Sequence, residues 1–214
     1  MPTMSTQSSR LVVSALVALV ALVALALAGF CEASSADPLN VALPEAGSLS
    51  IAAGSGSVRA WISVEPGPSA TTGQRVNIDT RLTRELRLAS EVVSVGVKAF
   101  SQDGYTFLVL GVSTPSVVSP GSGYCGAGTE DVLLLVEWKT RPPRLVLRDR
   151  IQVQSCLQSM ELRSDQGNEL SKVLHVENPA QFTLDWLLHP RYGSATKTLS
   201  VASGKFALSP TTRQ

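Results

Sequence analysis

Arg144-Leu145-Val146-Leu147-Arg148-Asp149-Arg150-Ile151-Gln152-Val153-Gln154-Ser155-Cys156-Leu157 is the most informative stretch of the chain. Leu145, Leu147, Ile151, Val153 and Leu157 alternate with Arg144, Arg148, Arg150, Gln152 and Gln154. A period of two over that length reads as a β-strand with one face buried. Asp149 falls on the apolar side and Val146 on the polar one, so a bulge or a break is expected near position 149.

Working outward, further short apolar runs with β-branched or aromatic residues read as strands: Val58–Val64, Val76–Leu82, Val92–Phe100, Tyr105–Val112, Val132–Lys139, Lys172–Glu177, Phe182–His189, Lys197–Ala202 and Lys205–Leu208. Asp103-Gly104 is a strong hairpin signal, because both central residues of such a turn need positive φ. Ser203-Gly204 and Arg141-Pro142-Pro143 mark further reversals, and connections this short join antiparallel neighbours. Only Thr80–Ser90 departs from the pattern. Leu82, Leu86 and Ala89 recur there at helical spacing among Arg81, Arg84, Glu85 and Arg87, which predicts one short helix. The fold class expected is all-β: an antiparallel β-sandwich or flattened barrel of about ten strands with one short helix near 80–90.

Ahead of this pattern, residues 11–28 read LVVSALVALVALVALALA without a charge, after a polar segment whose only side-chain charge is Arg10. That layout is a secretory signal peptide, and its competitor is an uncleaved membrane anchor through residues 11–28. Small residues rather than a basic flank follow the block, which favours cleavage, after Ala28 or after Ala36. The reading is therefore residues 1–36 as signal peptide, 37–57 as a mobile Ala/Gly/Ser/Pro-rich lead-in, and 58–214 as one β domain in the periplasm or outside the cell. Cysteine parity bears on the choice. Cleavage after Ala36 discards Cys31 and leaves Cys125 and Cys156, for which the simplest prediction is a disulfide. A closed loop of that length is worth ~3.5 kcal/mol in the chain-entropy model. A lipidated Cys31 ranks low, since Phe30 stands where such processing wants Gly or Ala.

Charge excludes some partners. Eighteen basic residues against 17 acidic ones give a net charge of +1, so no global field favours nucleic acid or an anionic membrane. Arginines at 75, 81, 84 and 87, and at 141, 144, 148 and 150, form two local basic concentrations that read as solvated faces, or alternatively as a surface for an anionic partner.

The motifs for chemistry are sparse. Gly121, Gly123 and Gly126 formally satisfy G-x-G-x-x-G, but the motif precedes a strand instead of following one and opening a helix. The same segment contains the candidate binding loop, Ser122, Gly123 and Tyr124 with Glu130 nearby, pinned through Cys125. Glu130 and Asp131 enter a strand as neighbours, so their side chains point to opposite faces and cannot act as a carboxylate pair. His175 and His189, the only histidines, read as solvent-facing strand residues, and Asp185 beside Trp186 as an outer-face acid. No catalytic residue, cofactor or metal is assigned: nucleophile elbow, zinc and calcium motifs are all missing.

Cys125-Gly126-Ala127-Gly128-Thr129-Glu130, the hydrophobic strand carrying Trp138, and Ser155-Cys156-Leu157 resemble a loosely defined group of small exported bacterial proteins of unknown function. The resemblance spans Tyr105 to Leu162 and implies the same disulfide and a periplasmic address, but no activity. Ser122-Gly123-Tyr124 is also similar to the Ser-Gly-containing, Tyr-ending loop of periplasmic lysozyme inhibitors, without their downstream Tyr and Trp signature. Together these readings predict a non-enzymatic binding module for a protein or another envelope component. The alternatives are an inhibitor of an envelope-targeting hydrolase such as lysozyme, or an enzyme with an unfamiliar site.

Overall fold

A computed structural model describes residues 38–44, 47–54, 57–63, 73–116, 128–165, 167, 169–174 and 176–210, all within one unit, Ser35–Gln214. The expected signal peptide and the residues from Pro120 to Ala127 lie outside the described residues, as does His175.

Three sheets are built in chain order. β1 (Leu39–Ala42), β2 (Ser48–Gly54), β3 (Ser57–Ser63) and β4 (Gln74–Arg75) form the first, an antiparallel meander. The central sheet has the order β5-β10-β9-β8-β6: β5 (Asn77–Ile78), β6 (Glu91–Ser94), β8 (Tyr105–Pro115), β9 (Thr129–Thr140) and β10 (Pro143–Ser155), with β7 (Phe100–Gln102) pairing β8. The third is β11 (Glu161–Leu162), β12 (Gln181–Leu188), β13 (Ala195–Ala202) and β14 (Lys205–Leu208). Two helices complete the described chain, α1 (Thr80–Arg87) and α2 (Leu170–Val173). The all-β class holds. Every strand pair is antiparallel except β5 with β10, which is parallel at Asn77 and Ile78.

The central sheet is buried on both faces. Leu108, Leu110, Val132, Leu134, Val136 and Trp138 face one core, shared with Val41, Leu49, Ile51 and Ala60 of the first sheet and Leu82 and Leu86 of α1. Phe107, Val109, Leu133 and Leu135 face a second core with Phe182, Leu184, Trp186, Leu199 and Val201 of the third sheet. A strand covered on both sides reads as a continuous apolar run, which is why Val132–Val136 shows no alternation.

The expected bulge near Asp149 is present, as a register shift between Leu147 and Asp149. One extra residue in a strand sends all later side chains to the other face. Leu145 and Leu147, opposite Trp138 and Val136, therefore pack into the first core, whereas Ile151, opposite Leu133, packs toward the second. The backbone groups at the bulge are satisfied from outside the sheet. Leu147 N–H donates to Asp79 Oδ2 at 2.9 Å, and its carbonyl accepts from Arg81 at 2.6 Å. Asp79 Oδ1 caps α1 by accepting the N–H groups of Arg81 and Leu82. Asp149 accepts the Phe206 N–H at 2.7 Å, tying the bulge to the last hairpin.

Several expectations need correction. Within the expected lead-in 37–57, Leu39–Ala42 and Ser48–Gly54 are strands, β1 and β2, with Val41 and Leu49 at 0% exposure. Its small residues concealed an alternation of Leu39, Val41, Leu49 and Ile51. Val76–Leu82 is strand only at Asn77–Ile78, because the Asp79 cap starts the helix immediately afterwards. Val92–Phe100 divides into β6 and β7. Lys172–Glu177 is not a strand: one helical turn places Leu170 and Leu174, four residues apart, in the second core. Asp103 and Gly104 adopt φ of 52° and 79°, and Ser203 and Gly204 50° and 69°, as hairpin turns of this kind demand.

If both faces of β9 carry the fold, neighbouring large-to-small substitutions must both be costly. Leu134→Ala and Leu135→Ala should each lose about 2–5 kcal/mol in urea denaturation. A near-neutral result for either would mean that its face is open.

Candidate functional site

The two ends of the sequence-predicted binding loop are described, and Glu130 joins them to β10. Its carboxylate accepts hydrogen bonds from Ser116 Oγ at 2.8 Å, Gln152 Nε2 at 2.7 Å, Ser155 Oγ at 2.6 Å and the Leu157 N–H at 3.2 Å. Ser116 precedes residues 117–127 and Glu130 follows them, while Gln152, Ser155 and Leu157 belong to β10 and the turn after it. Burial works to raise the Glu130 pKa. The bonds from Ser155, Ser116, Leu157 and Gln152 outweigh it and hold the carboxyl below its ordinary value. Glu130 is therefore an anchor whose acceptor capacity is spent inside the protein.

Backbone bonds close the same frame. Ser116 N–H donates to the Gly128 carbonyl at 2.9 Å, and Cys156 N–H donates to the Thr129 carbonyl at 3.2 Å. A Cβ on Gly128 would lie 2.5 Å from the Cys156 Cβ and 2.6 Å from its Sγ, so only glycine fits against Cys156. Ser122, Gly123, Tyr124 and Cys125 lie outside the described residues. Beside the frame, Thr129, Gln154, Ser155, Cys156, Met160 and Leu188 are among the residues lining a pocket of about 350 Å³.

Strict alternation with Gln152 and Gln154 would place Cys156 on the outer face. A second register shift, between Gln152 and Gln154, breaks that alternation. Gln154 turns inward to 7% exposure and donates to Asp131 Oδ2 at 3.0 Å. Asp131 itself is 1% exposed. Burial raises its pKa against hydrogen bonds from Ser113 and Thr129, and the nearby charges of Glu91 and Glu130 raise it further.

The remaining candidate residues sit apart from this frame. Asp185, on β12, is engaged by Arg163 at 3.1 Å and Thr196 at 2.9 Å. His189 was expected to face solvent, but it is half-buried between Trp186, ring centroid 4.8 Å away, and Tyr192, stacked at 4.3 Å. Its Nδ1 accepts the N–H groups of Arg191 and Tyr192, closing the turn after β12. Burial, followed by the positive charges of Arg191 and Lys197, lowers its pKa. Glu130, Asp185 and His189 do not hydrogen-bond to one another. Among the described residues no group of three His, Cys, Asp or Glu side chains could hold a metal ion. No described helix is long and apolar enough to cross a membrane.

Sequence reading missed Ser116, Gln152 and Ser155, the donors that make Glu130 a hub. They are common polar residues, Ser116 just after β8 and Gln152 and Ser155 on β10, and only the pairing of β8 and β10 with β9 brings them together. The Gly-x-Gly-x-x-Gly match leads into β9, with no helix start after it to receive a phosphate. Comparisons with protein-family models, curated proteins and solved structures returned no match.

A hub of hydrogen bonds to an ionised carboxylate is pH-sensitive with a definite sign. Because the folded pKa of Glu130 lies below its ordinary 4.5, the hub's contribution is fully present above that pH and is lost as pH falls through the folded value. Glu130→Gln should cost about 1–3 kcal/mol at pH 7 by urea denaturation and reduce the loss of stability on acidification below pH ~4.5. An unchanged stability and an unchanged acid limb would remove Glu130 from the frame.

Proposed function

We propose that this is an exported, non-enzymatic binding module that presents residues 117–127 to another component of the cell envelope. The observation that carries this reading is the Glu130 hub: Ser116 on one side of the loop and Gln152, Ser155 and Leu157 at the end of β10 all donate to Glu130 on its other side, fixing both ends of the loop onto β10. A loop held at both ends loses less conformational entropy on binding than a free one, which favours recognition. Tyr124 supplies a rigid aromatic contact, and Ser122 and Gly123 supply adaptable backbone and hydroxyl bonding. Cys125 is taken as the partner of Cys156, since removal of the apolar leader with Cys31 leaves these two cysteines. Export follows from the apolar block 11–28 and the small residues after it. The scatter of Glu130, Asp185 and His189 into separate bonding networks supports binding over catalysis.

The test is capture from a cell-envelope extract with immobilised protein lacking residues 1–36. Four baits would be compared: the oxidised protein, the same protein after reduction, Tyr124→Ala and Arg191→Ala. The reading expects a component retained by the oxidised protein and by Arg191→Ala, and lost with reduction and with Tyr124→Ala. Equal retention by all four baits would overturn it. If the captured component is a lysozyme-like hydrolase and its activity falls in a direct assay, the module is an inhibitor.

A further inference from the structure

The outer face of the first sheet carries a tryptophan that neither core uses. Ala60 packs in the first core, with Val58 and Ile62 against it, so the alternate residues Arg59 and Trp61 point to the other side of β3. Trp61 belongs to neither core. Arg75 of β4 stands directly opposite Trp61, and Ala52 of β2 directly opposite Arg59, so the four residues share one face. A cavity of about 540 Å³ opens there, within the range of small-molecule sites, and its described lining is Ala52, Arg59, Ala60, Trp61, Gly73 and Arg75.

The indole is held along one edge. A Cβ on Gly73 would clash with the Ile62 carbonyl oxygen and lie 2.9 Å from Trp61 Cδ1, so the chain runs close against that edge and only glycine fits. Nε1, bonded to Cδ1, is buried without an acceptor among the described residues. The half-buried side chain therefore offers its ring rather than its N–H.

Charge selects the ligand. Arg59 and Arg75 are exposed, and neither takes part in an ion pair or a side-chain hydrogen bond among the described residues. No acid stands in the described lining. Two unmatched guanidinium groups on one wall suit a phosphate monoester, which carries about −1.5 to −2 near pH 7, better than a single carboxylate. Each planar guanidinium can donate two parallel hydrogen bonds to phosphate oxygens. A single platform suits a single ring, because single-stranded nucleic acid is held by a succession of stacking aromatics and Trp61 stands alone in this lining.

We infer that this cavity binds the phosphate monoester of a ring-bearing small molecule, a sugar phosphate or a mononucleotide, with the phosphate at Arg59 and Arg75 and the ring against Trp61. The site uses no residue of the Glu130 frame, so it stands or falls apart from the binding loop.

Glucose 6-phosphate, AMP, inorganic phosphate and glucose would each be titrated into the isotope-labelled protein by NMR, with wild type, Arg59→Gln, Arg75→Gln, Trp61→Leu and the remote variant Arg191→Gln. The inference expects saturable shifts at Trp61, Arg59 and Arg75, with one or both esters binding at least about tenfold more tightly than inorganic phosphate or glucose; the tighter ester identifies the source of the ring. Arg59→Gln and Arg75→Gln should each weaken that ester about tenfold, as the loss of a hydrogen bond to a charged group implies. Trp61→Leu should lower its affinity to that of inorganic phosphate, and Arg191→Gln should behave as wild type. Esters no tighter than inorganic phosphate, shifts confined to other surfaces, affinity unchanged in both arginine variants, or no saturable shift at millimolar ligand would each overturn it.

Discussion

The bulge between Leu147 and Asp149 is the constraint on which the rest of the structure turns. β10 is 13 residues long and serves two cores on opposite faces of one sheet. Strict alternation would commit its odd-numbered residues to a single face. One extra residue transfers them from the first core to the second, at the cost of backbone groups left outside the ladder. Those groups are not left unpaired. Asp79 and Arg81 meet Leu147 from the helix side, and Asp149 meets Phe206 from the last hairpin. One irregularity therefore fixes the placement of α1, β10 and β14 together.

The second irregularity in β10, between Gln152 and Gln154, sets up the candidate site. It turns Gln154 toward Asp131 while Gln152 and Ser155 reach Glu130. Two adjacent acids consequently have opposite fates: Glu130 is held ionised by donors, while Asp131 is pushed toward its neutral form by burial. The loop frame is a by-product of how the central hairpin is registered, and so it inherits the rigidity of the double-sided core.

Much of this was legible in the sequence. The misplaced Asp149 announced the bulge, the Asp-Gly and Ser-Gly pairs announced their hairpins, and Leu82 and Leu86 announced α1. Two kinds of feature were not legible. β1 and β2 were hidden because Ala, Gly and Ser around Val41, Leu49 and Ile51 have the composition of a linker, and only burial against the central sheet selects the strand conformation. The Glu130 hub was hidden because its donors are separated by up to about forty residues of chain and are joined by a register that two bulges determine. The short helix at Leu170–Val173 shows the converse: two leucines at a spacing of four settle on a helix when the neighbouring core offers one pocket for both.

Replacing Asp79 by Ala tests the dependence on the bulge most directly. Its carboxylate accepts the Leu147 N–H at the bulge and the Arg81 and Leu82 N–H groups that open α1. The account predicts that urea denaturation of Asp79→Ala shows a transition weaker than wild type by about 2–4 kcal/mol, since a buried backbone donor and the helix cap lose their acceptor together. A transition within about 0.5 kcal/mol of wild type would contradict it, because the bulge would then hold without the partner that meets it from the helix side.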